Sequence, residues 1–136
     1  MTKQTRIPLC FVGCGEYARE ILDDIHDMTD MVELYFASRD LNKAQTYSDE
    51  YRGSGYFGSY EQAASDPRIE AMYFLTPHDL HLENVKLAAR YGKHILLEKP
   101  IARTIPECEE IIETARDAEV KLMVAENFRF LPTVNK

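Results

Sequence analysis

The sequence has no long apolar run and no apolar leader. Its longest apolar stretches span only a few residues, whereas a helix that crosses a bilayer needs roughly 20 consecutive apolar residues. The stretch from Met1 to Leu9 also lacks the apolar centre of a signal peptide. We therefore expect a cytoplasmic protein that neither spans nor binds a membrane.

Positive charge is also scarce. The chain has 16 basic and 23 acidic residues, which gives a net charge of −7 and a pI near 5.1. The lysines and arginines are scattered among the acids and form no stripe that would neutralise successive phosphates. Nucleic-acid binding is therefore not expected.

Cysteine is the third scarcity. Cys10, Cys14 and Cys108 are an odd number of cysteines, and they have neither metal-ligand spacing nor paired histidines beside them. Buried, reduced thiols and no metal site are expected.

What the sequence does contain is a regular alternation of strand-like and helical patterns. With 136 residues, of which 45% are hydrophobic, it can bury one sizeable core. The alternation predicts an α/β fold, a Rossmann-type doubly wound parallel sheet of about six strands with helices on both faces. Strands are expected at 7–12, 32–37, 56–57, 69–75, 94–97 and 120–125.

Apolar periodicity and capping patterns predict the helices between these strands. The first helix is expected at 16–28, with Tyr17 and Met28 on its buried face. The second is expected after residue 40, with an end near Gly53 and with Leu41, Ala44, Tyr47 and Tyr51 buried, and two more are expected at 59–65 and at 78–91, the latter closed by Gly92. The last helix begins with a capping box at Thr104 and Glu107, and its apolar face is formed by Ile105, Cys108, Ile111, Ile112 and Ala115.

A glycine turn joins the first strand to the first helix. Gly13-Cys14-Gly15-Glu16-Tyr17-Ala18 matches G-x-G-x-x-A in the context that this motif requires. Gly13 permits the tight turn, Gly15 leaves room for a pyrophosphate, and Ala18 allows close packing of helix and strand. The helix N-terminus would then receive the phosphates. The alternative is a tight turn that binds no ligand.

The end of the second strand favours NADP over NAD. NAD-preferring sites usually place an acid there to accept from the ribose 2′-hydroxyl, whereas this strand is followed by Ser38, Arg39 and Asp40. A hydroxyl and a guanidinium suit a 2′-phosphate, and Lys43 adds a second cation. In the alternative interpretation, Arg39 and Lys43 are ordinary surface residues and Asp40 only caps the helix.

Two later segments suggest a family. Thr76-Pro77-His78-Asp79-Leu80-His81 and Glu98-Lys99-Pro100, with Gly92-Lys93-His94 between them, resemble the family of glucose-fructose oxidoreductase, inositol dehydrogenase and MocA. The resemblance implies that the loop at Thr76 and Pro77 lies along the cofactor and that His78 and His81 open the next helix. It also implies a cofactor contact for Glu98 and often a cis bond before the proline.

Lys99 is the candidate catalytic residue. A lysine at the carboxyl end of a parallel strand lies in the crevice where such sheets bind ligands, and burial would lower its pKa and help proton transfer. Without the resemblance, a lysine before a proline is more often a loop residue. The resemblance implies that Lys99 relays a proton to or from the substrate oxygen.

Two histidines and two residues near the end of the chain are further candidates. The spacing of His78 and His81 permits a metal site, but no further ligand is evident, so we expect His81 near the nicotinamide or substrate entrance and His78 capping the helix. Asn127 and Arg129 resemble the family's segment at the crossing into a second domain, and Asn127 is a candidate cofactor contact.

The resemblance also predicts the domain organisation. We assign residues 1–125 to an NAD(P)-binding domain and 126–136 to the start of the crossing to a substrate domain, which family members have and this chain does not include. The chain is then the cofactor part of an oxidoreductase that acts on a sugar, polyol or related substrate. The alternatives are a standalone NAD(P)-binding sensor or docking module and a structural remnant. Phe128, Phe130 and Leu131 would favour self-association.

Overall fold

The computed structural model describes residues 6–25 and 30–125. The strands are β1 Ile7–Val12, β2 Val32–Ala37, β3 Gly55–Phe57, β4 Ala71–Phe74, β5 His94–Glu98 and β6 Leu122–Ala125. The helices are α1 Glu16–Asp24, α2 Leu41–Glu50, α3 Tyr60–Ser65, α4 His81–Arg90 and α5 Ile105–Asp117, and a 3₁₀ turn, His78–Leu80, precedes α4.

The six strands form one sheet in the order β3-β2-β1-β4-β5-β6, and every neighbouring pair is parallel. The chain builds outward from β1 to one edge, then returns to place β4 on the other side of β1. The point between β1 and β4 is therefore the topological switch point, where open sheets of this type leave a crevice. The predicted fold class is confirmed.

Side chains of alternate residues in the strands enter two separate cores. One core contains Cys10 and Val12 of β1 together with side chains of α3, α4 and α5, and the other contains Phe11 together with side chains of α1 and α2. Successive strand residues point to opposite faces, and helices cover both.

Side-chain caps begin three of the helices. The Ser59 and Thr104 hydroxyls accept from the amides of Gln62 and Glu107, and the Asp40 carboxylate accepts from Asn42. The predicted capping box differs in one bond, because the Glu107 carboxylate accepts from the amide of Arg103 at 3.2 Å instead of from that of Thr104.

The end of α2 also differs from the prediction. The residue with the left-handed backbone is Arg52, with φ of 56°. Gly53 serves packing instead, because a Cβ there would lie 2.6 Å from Ser48 Oγ and 2.9 Å from the Phe36 ring. Gly92, with φ of 70°, closes α4 as predicted.

Several predicted boundaries and buried positions were wrong. β4 begins at Ala71, because the chain turns at Ile69, whose amide donates to Asp66 O, and the helix expected at 78–91 is divided into the 3₁₀ turn and α4. The apolar stripe predicted for each helix is wider than the part of the helix that the sheet covers. Four residues expected on buried faces are exposed and one expected buried thiol is half-buried: Tyr17, Leu41, Ile105, Ile112 and Cys108. Met28, the predicted end of α1, lies outside the described residues.

Two kinds of feature are absent from the part of the chain that the structure describes. None of the helices there has the length and apolar character needed to cross a membrane. Within 6–25 and 30–125, no group of three or more His, Cys, Asp or Glu side chains is placed to hold a metal ion.

Candidate dinucleotide-binding groove

A groove runs over the carboxyl ends of four neighbouring strands, β2, β1, β4 and β5. We call its two parts the β2 half and the β5 half, and they share Leu75, Thr76 and Pro77. The β2 half is also lined by Gly13, Cys14, Gly15, Ser38, Arg39, Asp40, Lys43 and Tyr60, and the β5 half by Tyr17, His78, His81, Glu98, Lys99 and Pro100. The groove thus lies across the switch point and brings together most of the predicted site residues.

The glycine turn forms the floor of the groove at the end of β1. Gly13 has φ of 99°, and a Cβ on it would lie 3.3 Å from the carbonyl carbon of Leu75, so a side chain there would strain the backbone and crowd Leu75. Gly15 is the N-cap of α1 and has no side-chain cap, and no atom lies within 4 Å of the position of a Cβ there. The first amides of α1 are therefore accessible to an anion.

The other residues of the motif have different surroundings. Cys14 is 6% exposed, its thiol donates to Ala37 O at 3.7 Å, and burial raises its pKa to about 11. Ala18 is 1% exposed in the α1 and α2 core. Glu16 and Tyr17 are exposed, and Tyr17 lines the β5 half of the groove. Cys14 thus presents its backbone to the groove and keeps its thiol in the core.

Tyr47 of α2 is hydrogen-bonded to the glycine turn. Its hydroxyl donates to the carbonyl oxygen of Gly15 at 2.8 Å. The Arg19 guanidinium lies over the Tyr47 ring, 4.4 Å from its centroid, and also pairs with Glu50. The tyrosine was predicted only as a core residue.

The β2 half carries two exposed cations. Ser38 is buried and its hydroxyl accepts from the amide of Asp40 at 3.0 Å, which fixes the turn into α2. Arg39 and Lys43 are exposed and line this half, and neither takes part in an ion pair with another described residue. Among the described residues, Asp40 is the one acid that lines this half, and its carboxylate caps α2 by accepting from the amide of Asn42. The accessible charge here is therefore mainly positive.

His81 joins the two loops that line the β5 half. Its ring is 1% exposed, with Nε2 at 3.1 Å from Thr76 O and Nδ1 at 3.1 Å from Ile101 O. The Thr76 hydroxyl donates to Asn84 Oδ1. With both nitrogens facing backbone carbonyls, His81 is not available as a metal ligand. His78 is exposed in the 3₁₀ turn, and neither this turn nor α4 has a side-chain cap, so the predicted capping role was wrong.

Glu98 and Lys99 follow one another at the end of β5 with different exposures. Glu98 is 9% exposed and accepts a hydrogen bond from the hydroxyl of Tyr73 on β4. Lys99 is exposed, so the burial considered from the sequence is absent, and the bond between Lys99 and Pro100 is cis. A buried carboxylate and an accessible ammonium thus occupy the same half of the groove.

Three residues of this arrangement were missed from the sequence: Tyr47, Tyr73 and Asn84. The two tyrosines lie 32 and 25 residues from their hydrogen-bond partners, and no local pattern indicates such a pairing. Asn127 and Arg129, as well as Phe128, Phe130 and Leu131, lie outside the described residues.

The fold and the groove together define a nicotinamide dinucleotide-binding domain of the Rossmann type. The family model of the Gfo/Idh/MocA proteins, described as an oxidoreductase family with an NAD-binding Rossmann fold, matches residues 7–126. The chain belongs to this family, which confirms the resemblance seen in its motifs.

Similar proteins are known from several organisms. Over 96 residues, 71% of this chain and 29% of the relative, it is 40% identical to trans-1,2-dihydrobenzene-1,2-diol dehydrogenase of Xenopus tropicalis. It is 36% identical to D-xylose 1-dehydrogenase (NADP(+)) 2 of Haloferax volcanii over 100 residues, 74% of this chain and 31% of the relative. The crystal structure of an oxidoreductase from Thermotoga maritima superposes with a TM-score of 0.87 at 29% identity, covering 94% of this chain and 40% of that one. The chain thus spans about a third of these relatives.

Proposed function

We propose that this chain is the cofactor domain of an NADP-dependent oxidoreductase that transfers a hydride between the nicotinamide ring and a hydroxyl or carbonyl carbon of a sugar, polyol or related diol. The domain comprises residues 1–125, and 126–136 begin the connection to a substrate domain. The names of the similar diol and xylose dehydrogenases support this substrate class.

The observation that carries the proposal is the span of the groove. Neighbouring strands lie about 4.8 Å apart, so β2 and β5, three places apart in the sheet, are separated by about 14 Å. That distance suits an extended dinucleotide. With the pyrophosphate at Gly13 and Gly15, one nucleoside would reach Arg39 and the other would reach Lys99.

The residues present fit such a cofactor. The empty space beside Gly15 and the accessible amides of α1 suit two phosphates. When bound, the dinucleotide supplies the hydride acceptor or donor. Lys99, exposed in the β5 half, holds a proton at Nζ that it donates to, or regains from, the substrate oxygen.

The preference for NADP rests on the β2 half. Arg39 and Lys43 offer two accessible cations to a 2′-phosphate, and Ser38 offers a hydroxyl. The nearest acid, Asp40, already accepts from the amide of Asn42 at 3.0 Å. The two cations outnumber this single carboxylate, so the β2 half favours a phosphate over a neutral ribose 2′-hydroxyl.

Titration of the chain with NADPH and NADH, followed by nicotinamide fluorescence, tests the cofactor proposal. We expect NADPH to bind at least about tenfold more tightly, because a charge-assisted phosphate contact contributes more than about 1.4 kcal/mol. Arg39→Gln should remove most of this preference and leave NADH affinity unchanged. Arg116→Gln, at the exposed end of α5, is the control and should change neither. Tighter binding of NADH would contradict the NADP assignment.

The catalytic role of Lys99 is tested in assays of the full-length protein with NADP⁺ and sugars, polyols or diols. We expect Lys99→Met to lower kcat by about 100-fold or more, the usual contribution of a positioned proton donor. NADPH affinity should change little. A variant that retains wild-type kcat would show that Lys99 is not the proton-transfer residue.

A further inference from the structure

The buried pair of Tyr73 and Glu98 lies directly behind the β5 half of the groove. Tyr73 is opposite Leu96 in the parallel register of β4 and β5, and Glu98 lies two residues beyond Leu96 on the same face of the sheet. The tyrosine side chain therefore reaches diagonally toward the carboxyl edge, where its hydroxyl donates to Glu98 Oε1. The two side chains are 5% and 9% exposed.

Packing holds the tyrosine in this position. Its ring lies 5.2 Å from the Phe11 ring, centroid to centroid, within the core that α1 and α2 cover. Burial, together with the neighbouring Glu98 carboxylate, raises the pKa of Tyr73, so the phenol remains a donor across the physiological range. A protonated phenol fixed in a core is a permanent anchor for one oxygen of the carboxylate.

Glu98 contacts both the core and the groove. It is anchored by Tyr73 and it also lines the groove beside Lys99. An ionised carboxylate can accept about four hydrogen bonds, so the bond from Tyr73 leaves capacity for a ligand. Hydroxyl groups are the donors that a sugar-bearing nucleotide would present to it.

We propose that Tyr73 is a positioning residue, which orients the Glu98 carboxylate to accept from the hydroxyls of the nicotinamide-side ribose. This assignment rests on the proposed function. It differs from a purely structural role in one respect. Loss of the Tyr73 hydroxyl should weaken ligands that occupy the β5 half and leave ligands confined to the β2 half unaffected.

Two ligands separate these halves. NADPH spans the whole groove, whereas 2′,5′-ADP contains only the adenosine part with its phosphates. We expect Tyr73→Phe to weaken NADPH about tenfold, the effect of a disturbed hydrogen bond to a charged group, and to change 2′,5′-ADP affinity less than about twofold. Tyr91→Phe, which removes a tyrosine–glutamate hydrogen bond to Glu61 on the surface, is the matched control and should change neither affinity.

A second variant tests the carboxylate itself, and unchanged NADPH affinity in it would overturn the proposal even if Tyr73→Phe does not fold. Glu98→Gln retains an acceptor for the Tyr73 hydroxyl and loses the charge, and it should weaken NADPH but not 2′,5′-ADP. Where both single variants fold, the double variant should bind NADPH no more weakly than the single variant with the larger loss of affinity, because the two residues act as one unit.

The outcomes distinguish this assignment from the proposed function. Equal weakening of both ligands, or no weakening of NADPH, would overturn the positioning role and leave cofactor binding intact. If the wild-type chain bound neither ligand, the proposed function would itself be wrong, and the role of Tyr73 with it.

Discussion

The hydroxyl of Tyr47 lies 2.8 Å from the carbonyl oxygen of Gly15, a residue 32 positions earlier in the chain. This hydrogen bond connects α2 to the glycine turn. Since α2 also carries Lys43, one helix influences both the phosphate-binding turn and the cation beside it.

Removal of this hydroxyl should affect the whole cofactor. Tyr47→Phe leaves the Gly15 carbonyl without its partner, and we expect the free energy of unfolding to fall by about 1 kcal/mol. NADPH and 2′,5′-ADP should weaken together, about three- to tenfold, because both need the glycine turn. Calorimetric titration and urea unfolding would measure the two effects. Weakening of NADPH alone would show that Tyr47 does not act through the turn.

The two glycines of the turn should respond differently to alanine. Gly13→Ala places a Cβ 3.3 Å from the Leu75 backbone at φ of 99°, so we expect a loss of about 1–3 kcal/mol in the free energy of unfolding. Gly15→Ala meets no atom within 4 Å and should fold normally, but its Cβ would occupy the space expected for a phosphate. Thermal unfolding and NADPH titration separate these effects. Unchanged NADPH affinity in Gly15→Ala would argue against the phosphate position.

Lys93 is expected to be a structural lysine. Its side chain is buried, and Nζ donates to the carbonyl oxygens of Asp66 at 2.8 Å and Ile69 at 2.6 Å. Lys93→Met leaves both carbonyls without this donor, so we expect a loss of about 2–4 kcal/mol. Lys86→Met, which breaks an exposed ion pair with Glu110, should cost less than about 1 kcal/mol. Urea unfolding measures both variants, and equal losses would contradict the buried role.

The pair of Asp66 and Arg68 should contribute stability that acid removes. Three hydrogen bonds from Arg68 hold the pKa of Asp66 at about 2, below its usual 3.8. Because the folded state binds this proton less readily than the unfolded state, the contribution is fully present above pH 3.8 and is lost as the pH falls toward about 2.

Comparison of the wild type with Arg68→Gln at two pH values measures this effect. At pH 6 we expect the variant to be less stable by up to about 1 kcal/mol, since the Arg68 side chain is 57% exposed and solvent screens the pair. At pH 2 the difference should shrink. A difference that stayed constant or grew on acidification would have the wrong sign for an ion pair.

The sequence was sufficient for the sheet and for the position of the groove, because both follow from local patterns. Strand runs and helical periodicity alternate clearly, and parallel strands bring their carboxyl ends to one edge. The glycine turn, the cap at Thr104 and the closure at Gly92 were likewise readable from short segments.

The parts that could not be predicted depend on distant contacts. Periodicity identified Tyr47 as a core residue but could not show that its hydroxyl reaches Gly15. The contacts of His81 with Thr76 O and Ile101 O join segments on both sides of β5. The exposure of Leu41 and Ile112 depends on how much of each helix the sheet covers, which the helix pattern alone does not reveal.

Gly53, beyond the far end of α2, shows that the groove also depends on contacts of a residue that does not line it. A Cβ there would lie 2.6 Å from Ser48 Oγ on the helix and 2.9 Å from the Phe36 ring beneath it, so a larger residue would force these side chains, the turn after α2 or α2 itself to shift. A shift of α2 would also move Lys43 and Tyr47. A substitution more than two helical turns from the groove could therefore change cofactor affinity while every groove-lining residue stayed the same, and a search for affinity variants limited to the groove would miss it.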